Sequence, residues 1–506
     1  MTDPTATPQS PADRLLTRLA WAMLIAAVAG CGLLALARIG AQTASPFDLD
    51  YAEPYHVWSF MRVAGPEPVV SGNEPPYTTL PYPPGGYLVY GAVSTALGDA
   101  HWHTHRTAAR LLTALCTLAA TLGVVVLART LGAGWRSSLL GALLYLSADR
   151  VHQFAVNPRP DALAAALTLL SVSAMLRGRA WLAGALAGGM LIVKYALIVG
   201  PGLMGLRCLW RKDWAGAAKY AAGGLIALAV ALAISPIVLG KGFADGLAIQ
   251  SPVGLKWGQS FNLTSTLIFE AIGPILGGFA VLACPKLPEK VRWITLAFVA
   301  AVAFHALALA KPGAAFNYFL EPVGYGAALS AWGLTQLARH GTPTHQRAVA
   351  LAGCVALTPV AVSLLWEAQR AAEDLRLSPE QVADDPRSET ELIALLSQVE
   401  GPVITPTASV AMQAGHEVWI APDDLVKTAF QFDLWDDDAL TRMIADRAFG
   451  AVARTYALSN EARDLLEINY PITVEVAGET IYLRDPPPPG WVPPHVDSQD
   501  DAPATP

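Results

Sequence analysis

Three carboxylates, Asp48, Asp50 and Glu53, fall within six residues of the run Phe47-Asp48-Leu49-Asp50-Tyr51-Ala52-Glu53-Pro54-Tyr55, just after the first long apolar stretch. Ionisable groups at the edge of a membrane are costly to hold there and by default mark function. A carboxylate so placed can take a proton from a weak oxygen nucleophile. The plainer alternative is that these acids cap a helix or pair with Arg62 or another cation, and Asp48 suits that alternative best. Pro54 fits a first helical turn, where its missing N–H has no partner to lose. Gly65 fits the far end, where a left-handed turn is common. Between them Val57, Phe60, Met61 and Ala64 recur at helical spacing. A helix that begins by Asp50 puts Asp50 and Glu53 on one face.

The elements that must position these acids follow from composition. Of 506 residues, 53% are hydrophobic and only 15% charged, with a mean hydropathy of +0.39. Soluble domains carry about 25% charged residues, so this is a polytopic membrane protein. Residues 370–506 hold 25 acidic and 9 basic side chains, which leaves an excess of nine positive charges in residues 1–369. An acidic soluble part therefore follows a membrane part. The five cysteines lie in or beside apolar runs and imply no disulfide framework. Apolar stretches at 15–38, 106–128, 137–155, 160–176, 213–239, 262–284, 291–310, 317–338 and 346–366 suit spans. Both ends of 180–206 belong to the basic loops, yet its residues are too few to cross about 30 Å twice. Two short helices with Lys194 at the tip are expected. The pattern gives about eleven spans in an inner (plasma) membrane, N-terminus cytoplasmic and C-terminus outside. Residues 84–98 read as a helix on the outer interface anchored by Tyr87 and Tyr90. The expected domains are a disordered 1–12, a transmembrane 13–369 with outer loop 40–105, an extracytoplasmic α/β part at 370–485, and a disordered proline-rich 486–506. In the α/β part, 403–405, 416–420 and 449–454 read as strands, 423–432, 437–446 and 460–468 as helices, and 472–483 as a hairpin around Gly478.

Several motifs carry a family resemblance. Asp50-Tyr51-Ala52-Glu53 before an amphipathic helix and Pro81-Tyr82-Pro83-Pro84 before an interfacial one resemble the first outer loop of GT-C-type membrane glycosyltransferases. The resemblance is nearest to the bacterial branch related to protein O-mannosyltransferases and lipid A aminoarabinose transferases (glycosyltransferase family 39-like). Asn157-Pro158-Arg159-Pro160-Asp161, the broken pair Gly184–Lys194, Lys311-Pro312-Gly313 and Asn317-Tyr318-Phe319-Leu320-Glu321 agree with it over roughly residues 15–370. Ala52-Glu53-Pro54 departs from the more usual Gly-Glu-Gly. The resemblance implies transfer of a sugar, hexose or pentose, from a polyprenyl-phosphate donor to a lipid, glycan or protein acceptor of the cell envelope. It implies Asp50 as general base, with Glu53 orienting the acceptor or sharing the proton. Asp48 and Asp161 would serve acceptor or sugar hydroxyls, and Arg159, Lys194 and Lys311 the phosphate. Tyr82 and Tyr318 would line the sugar pocket, with Asn317 and Glu321 beside them.

Each assignment has a structural competitor: an ion pair for Arg159 and Asp161, a snorkelling side chain for Lys194, a boundary cation for Lys311, a mutual hydrogen bond for Asn317 and Glu321. His101, His103 and His105 alternate like metal ligands but lack a carboxylate partner. A polyprenyl-phosphate donor has no diphosphate for a metal to bridge, so no cofactor is expected, with a divalent metal as the alternative. Nucleic acid is not an expected partner; membrane lipids are. A transporter or flippase of lipid-linked sugars is the competing function, disfavoured by the outer acidic cluster and by the lack of an obvious internal repeat. An interaction protein anchored by its spans is less apt still, because so many spans exceed what an anchor needs.

Overall fold

The computed structural model describes residues 10–485, apart from 66–67, 72, 99–100, 241–255, 285, 312–315, 386, 406 and 454–456. The expected disordered tail at 486–506 lies outside the described residues. So does nearly all of the expected 1–12 segment, but its last residues are helical. Helix α1 (Pro11–Thr43) starts there, with the Ser10 hydroxyl accepting the Asp13 N–H at 3.0 Å in an N-cap that satisfies one of the helix's orphan donors.

Five described helices are long and apolar enough to cross a membrane. They are α1, α4 (Trp102–Thr130), α10 (Trp214–Leu239), α13 (Glu289–Ala308) and α15 (Pro343–Asp374). The last runs beyond the expected end at 366. Shorter helices lie between them: α5 (Trp135–Ser147), α6 (Asp149–Gln153), α7 (Asp161–Leu176), α8 (Ala180–Val193), α9 (Val199–Trp210), α11 (Trp257–Glu270), α12 (Ile272–Ala280) and α14 (Leu320–His340); α7 and α14 are the most buried. The expected span at 137–155 divides at Ala148, which is extended. The span expected at 262–284 divides at Ala271. Pro274 explains the second break, since proline cannot donate to the preceding turn and its ring clashes with the carbonyl four residues back.

The stretch 180–206 forms two short helices, as its length requires. Lys194 ends α8 in an extended conformation, and the residues Tyr195–Leu197 turn the chain into α9. Pro201 then sits in the first turn of α9, where no N–H is missed. α8 packs closely on α10. A Cβ at Gly184 would fall 1.9 Å from the Tyr220 carbonyl oxygen, so only glycine lets the two backbones approach so closely.

The loop between α1 and α4, expected to be outer, carries α2 (Glu53–Ala64) and α3 (Pro84–Leu97). Gly65 ends α2 with φ −89° rather than turning left-handed. Tyr87 and Tyr90 of α3 are buried against protein instead of anchoring at a lipid surface. The Tyr87 hydroxyl lies 3.4 Å from His56, and the Tyr90 hydroxyl 2.8 Å from that of Thr113.

Beyond α15 lie α16 (Pro379–Ala383), α17 (Thr390–Leu396), α18 (Ala408–Gln413), α19 (Asp423–Gln431), α20 (Asp438–Ala445) and α21 (Asn460–Asn469). Strands β2 (Val403–Ile404), β4 (Ala451–Ala453), β6 (Glu479–Leu483) and β5 (Ile472–Val476) form one sheet in that spatial order. β2 and β4 are parallel and the other pairs antiparallel. The β5–β6 hairpin turns at Ala477 and Gly478, both at positive φ, as a tight two-residue turn demands. The strand expected at 416–420 is confined to β3 (Ile420–Ala421). It leaves the sheet and pairs in parallel with β1 (Tyr77–Thr78) of the outer loop.

Candidate active site

The outer loop is first pinned at its root. Arg106 and Arg110, four apart on α4 and so on one face, turn toward residues 42–53. Arg110 is fully buried and spends all three nitrogens there. Its Nε donates to Glu53 Oε1 at 2.6 Å and its Nη2 to Glu53 Oε2 at 2.8 Å. The remaining bonds run to the carbonyls of Gln42, Ser45 and Phe47 at 3.1, 2.7 and 2.6 Å. Glu53 Oε2 also accepts the Leu49 N–H at 2.6 Å. Glu53 therefore has no exposed surface and both oxygens engaged. Burial pushes its carboxyl above the usual range, with Arg110 opposing. This corrects the expected role, because a carboxylate so enclosed cannot reach an acceptor. Asp48 is likewise held, by Arg106 Nη1 at 2.8 Å.

Asp50 turns the other way. Its Oδ1 accepts the N–H groups of Ala52 at 2.9 Å and Glu53 at 3.0 Å, opening α2. Its Oδ2 accepts from Asn157 Nδ2 and from Arg159 Nη2, each at 2.5 Å. The side chain keeps 24% of its surface exposed. Asn157 and Arg159 lie in the irregular segment before α7, which Asp161 begins. Asp161 Oδ1 pairs with Lys194, from the break between α8 and α9. The Lys194 ammonium stands 4.6 Å from the Tyr82 ring centre and 5.3 Å from that of Tyr318, within cation–π range of both. Tyr82 stacks on His56 at 5.5 Å. Two ion pairs, an amide and two tyrosines thus converge from the outer loop, the start of α7, the α8–α9 break and the turn Phe316–Phe319.

The convergence is not saturated. Buried atoms without a hydrogen-bond partner include Asn157 Oδ1, Arg159 Nε, Asp161 Oδ2, His56 Nε2 and Asn317 Oδ1. Buried polar atoms are nearly always paired, so a group of orphans around two ion pairs marks a place for a polar ligand. His56 stays neutral, because burial and the cations Arg159 and Lys194 hold its imidazole well below the usual value.

Two other expected site residues make different contacts. Glu321 is fully buried on α14, where Oε1 accepts from the Gly200 N–H at 2.6 Å and the Tyr325 hydroxyl at 3.0 Å. Its Oε2 meets His305 at 3.0 Å. It caps the start of α9 and does not bond Asn317. Lys311, at the end of α13, has no side-chain ion pair among the described residues, and burial lowers its ammonium from the usual value. Asp149, His152 and Glu367 bring possible metal-ligand atoms within 4.8 Å of one another, but the Arg38 guanidinium pairs with Glu367 there and already supplies the positive charge.

Sequence reasoning did not single out Arg106, Arg110, Asn157 or His56 as site or support residues. For the arginines a signal existed: two charges inside a span demand partners.

Residues 80–284 match glycosyltransferase family 87. Among solved structures, ArnT from Cupriavidus metallidurans bound to undecaprenyl phosphate is 15% identical with a TM-score of 0.59, over 92% of this chain and 98% of that one. The same protein in its apo state gives 16% and 0.60 over the same shares. The archaeal oligosaccharyltransferase AglB from Archaeoglobus fulgidus, in complex with an inhibitory peptide and a dolichol-phosphate, is 10% identical with a TM-score of 0.53, over 84% of this chain and 69% of that one. No curated protein matches.

Proposed function

We infer that this chain, a GT-C-type membrane glycosyltransferase, moves a hexose or pentose from a polyprenyl-phosphate donor to a hydroxyl of an acceptor outside the membrane. The observation that carries the reading is the meeting of Asp50–Arg159 with Asp161–Lys194 amid orphaned polar atoms. A lipid phosphate needs fixed cations and a sugar needs polar partners; both are brought together by these residues. The similar structures hold undecaprenyl phosphate or dolichol-phosphate, which supports a lipid-phosphate donor.

At rest Asp50 accepts from four donors. An entering phosphate competes for Arg159 and Lys194 through charge-assisted bonds. As Arg159 turns to the phosphate, Asp50 Oδ2 is released. It then takes the acceptor's proton while the acceptor oxygen bonds to the anomeric carbon. The bond from that carbon to the phosphate oxygen breaks, and the charge left on the polyprenyl phosphate falls to Arg159 and Lys194. Attack opposite the leaving phosphate inverts the anomeric centre. Tyr82 and Tyr318 offer ring faces to the sugar, and Asp161 Oδ2 a hydrogen-bond acceptor. No metal is needed in this scheme.

The test is release of polyprenyl phosphate from a radiolabelled lipid-sugar donor in membranes. Loss of a general base removes about 10²- to 10⁴-fold of rate, so Asp50→Asn at normal expression should fall by that much. Equal release by wild type and variant removes Asp50 as base. Translocation of the intact donor without cleavage would favour the transporter.

A further inference from the structure

The membrane helices hold an apolar groove of about 500 Å³ that the scheme above does not use. Protein interiors pack as tightly as organic crystals, so a void of this size among packed helices is room for a ligand. Two helix pairs in close contact form its walls. A Cβ at Gly353 of α15 would fall 2.7 Å from Leu24 Cδ1 of α1, and one at Gly277 of α12 would clash with the Ser330 side chain of α14. Glycine lets each pair close up, and the groove lies between the pairs, with Leu140 and Leu144 of α5 also lining it. Leu276 and Val349 line it too and are exposed. It therefore opens to what surrounds these spans, which is lipid.

The lining is polar only toward one end. Ser330 spends its hydroxyl on the Gly326 carbonyl at 2.7 Å, which leaves the Gln336 amide as the polar group that the groove offers. Gln336 stands about 24 Å along α14 from Leu320, by helix rise. That is most of a hydrocarbon core of about 30 Å, so this end lies far from Tyr318 and the Asp50–Arg159 pair. Arg339, three residues beyond Gln336, shares its face and is exposed. Lys286, also exposed, comes two residues after Cys284, another lining residue. Neither cation has an ion pair among the described residues. Along the groove the order is hydrocarbon, amide, cation. A phospholipid presents the matching order of acyl chain, ester and phosphate. The plainer alternative is a slot that takes any lipid tail without regard to its headgroup.

We propose that this groove binds an anionic phospholipid. One acyl chain lies between the α1–α15 and α12–α14 pairs, the Gln336 amide donates to the ester carbonyl, and Arg339 and Lys286 face the headgroup. Each basic residue beside an anionic lipid surface is worth about fivefold in binding. The site stands apart from the transfer reading and does not depend on it.

The experiment uses the full chain in phosphatidylcholine vesicles with a trace of phosphatidylglycerol whose acyl chain carries a photoreactive group. Labelling should map to the groove-lining residues of α12, α14 and α15. It should exceed that from a phosphatidylcholine probe with the same chain by about fivefold or more. Arg339→Gln, an exposed change, should remove most of this excess and leave labelling by the phosphatidylcholine probe unaltered. A Cβ at Gly333 would meet only Val281 Cγ2 within 4 Å, at 3.7 Å. Gly333→Leu therefore adds bulk to the groove without a backbone clash, and should abolish labelling there by both probes. Equal labelling by the two probes overturns the proposal, and so does labelling spread evenly over the exposed helices or unchanged in Gly333→Leu. Loss of label on adding an unlabelled polyprenyl phosphate would give the groove to the donor's tail instead. No labelling there overturns it too, and a dimer on sizing would then assign the groove to a second copy.

Discussion

The acids of the loop between α1 and α4 end in two kinds of pairing. At the root, Glu53 and Arg110 are wholly buried, and every oxygen and nitrogen between them is engaged. At the start of α7, Asp50–Arg159 and Asp161–Lys194 leave Arg159 Nε and Asp161 Oδ2 unpaired. The residue types are similar and the segments adjoin. Saturation separates the Glu53–Arg110 pair from the other two, although its neighbour Arg106 also leaves its Nε unpaired: a closed pair fixes a backbone, whereas an open one has capacity for a ligand.

That contrast can be broken by experiment. Removing one partner of a buried ion pair costs about 3–5 kcal/mol, so Arg110→Met should sharply lower the melting temperature of the purified protein. Replacing Glu53 by Leu in the same chain should recover much of the loss. If Arg110→Met is stable but inactive, the root is part of the chemistry and the division fails. Lys194→Met also strands a buried partner, Asp161, whose side chain is 1% exposed, so it too should lower the melting temperature. What sets it apart is ligand binding: its binding of short-chain polyprenyl phosphate should weaken about tenfold or more.

The smallest effect is expected at Lys311. Burial lowers its ammonium from the usual value, so the folded chain holds that proton less tightly than the unfolded one. The cost is full below the lowered value and fades as pH rises from it toward that of an ordinary lysine. Lys311→Met should therefore slightly raise the melting temperature at neutral pH, and the gap should close in alkali. Phosphate binding should stay within about twofold, as for surface substitutions away from a site; a tenfold loss would bring Lys311 into the site.

How much of this could be read from residue order depended on distance along the chain. Pro54 and the acid spacing announced α2 because both act locally. The break at Lys194 followed from arithmetic, a stretch too short to cross twice. Which acid met which arginine was a different matter. Spacing puts Asp50 and Glu53 near each other but says nothing of Arg110, whose direction is set by how α4 packs. Pro274 stood in plain sight within 262–284, yet overall apolarity outweighed it in choosing a continuous span. β3 overlaps the stretch 416–420 that reads as a strand, but its partner β1 is two residues long, below what alternation can reveal, and so the pairing itself was hidden.

The pairing of residues 77–78 with 420–421 also has a consequence for how the enzyme is made. A ribosome must complete most of the chain before β3 exists to meet β1. Until then Tyr77 and Thr78 have no strand to pair with. Synthesis order thus delays this seam until the last segment has docked, and a product truncated before residue 420 would lack it.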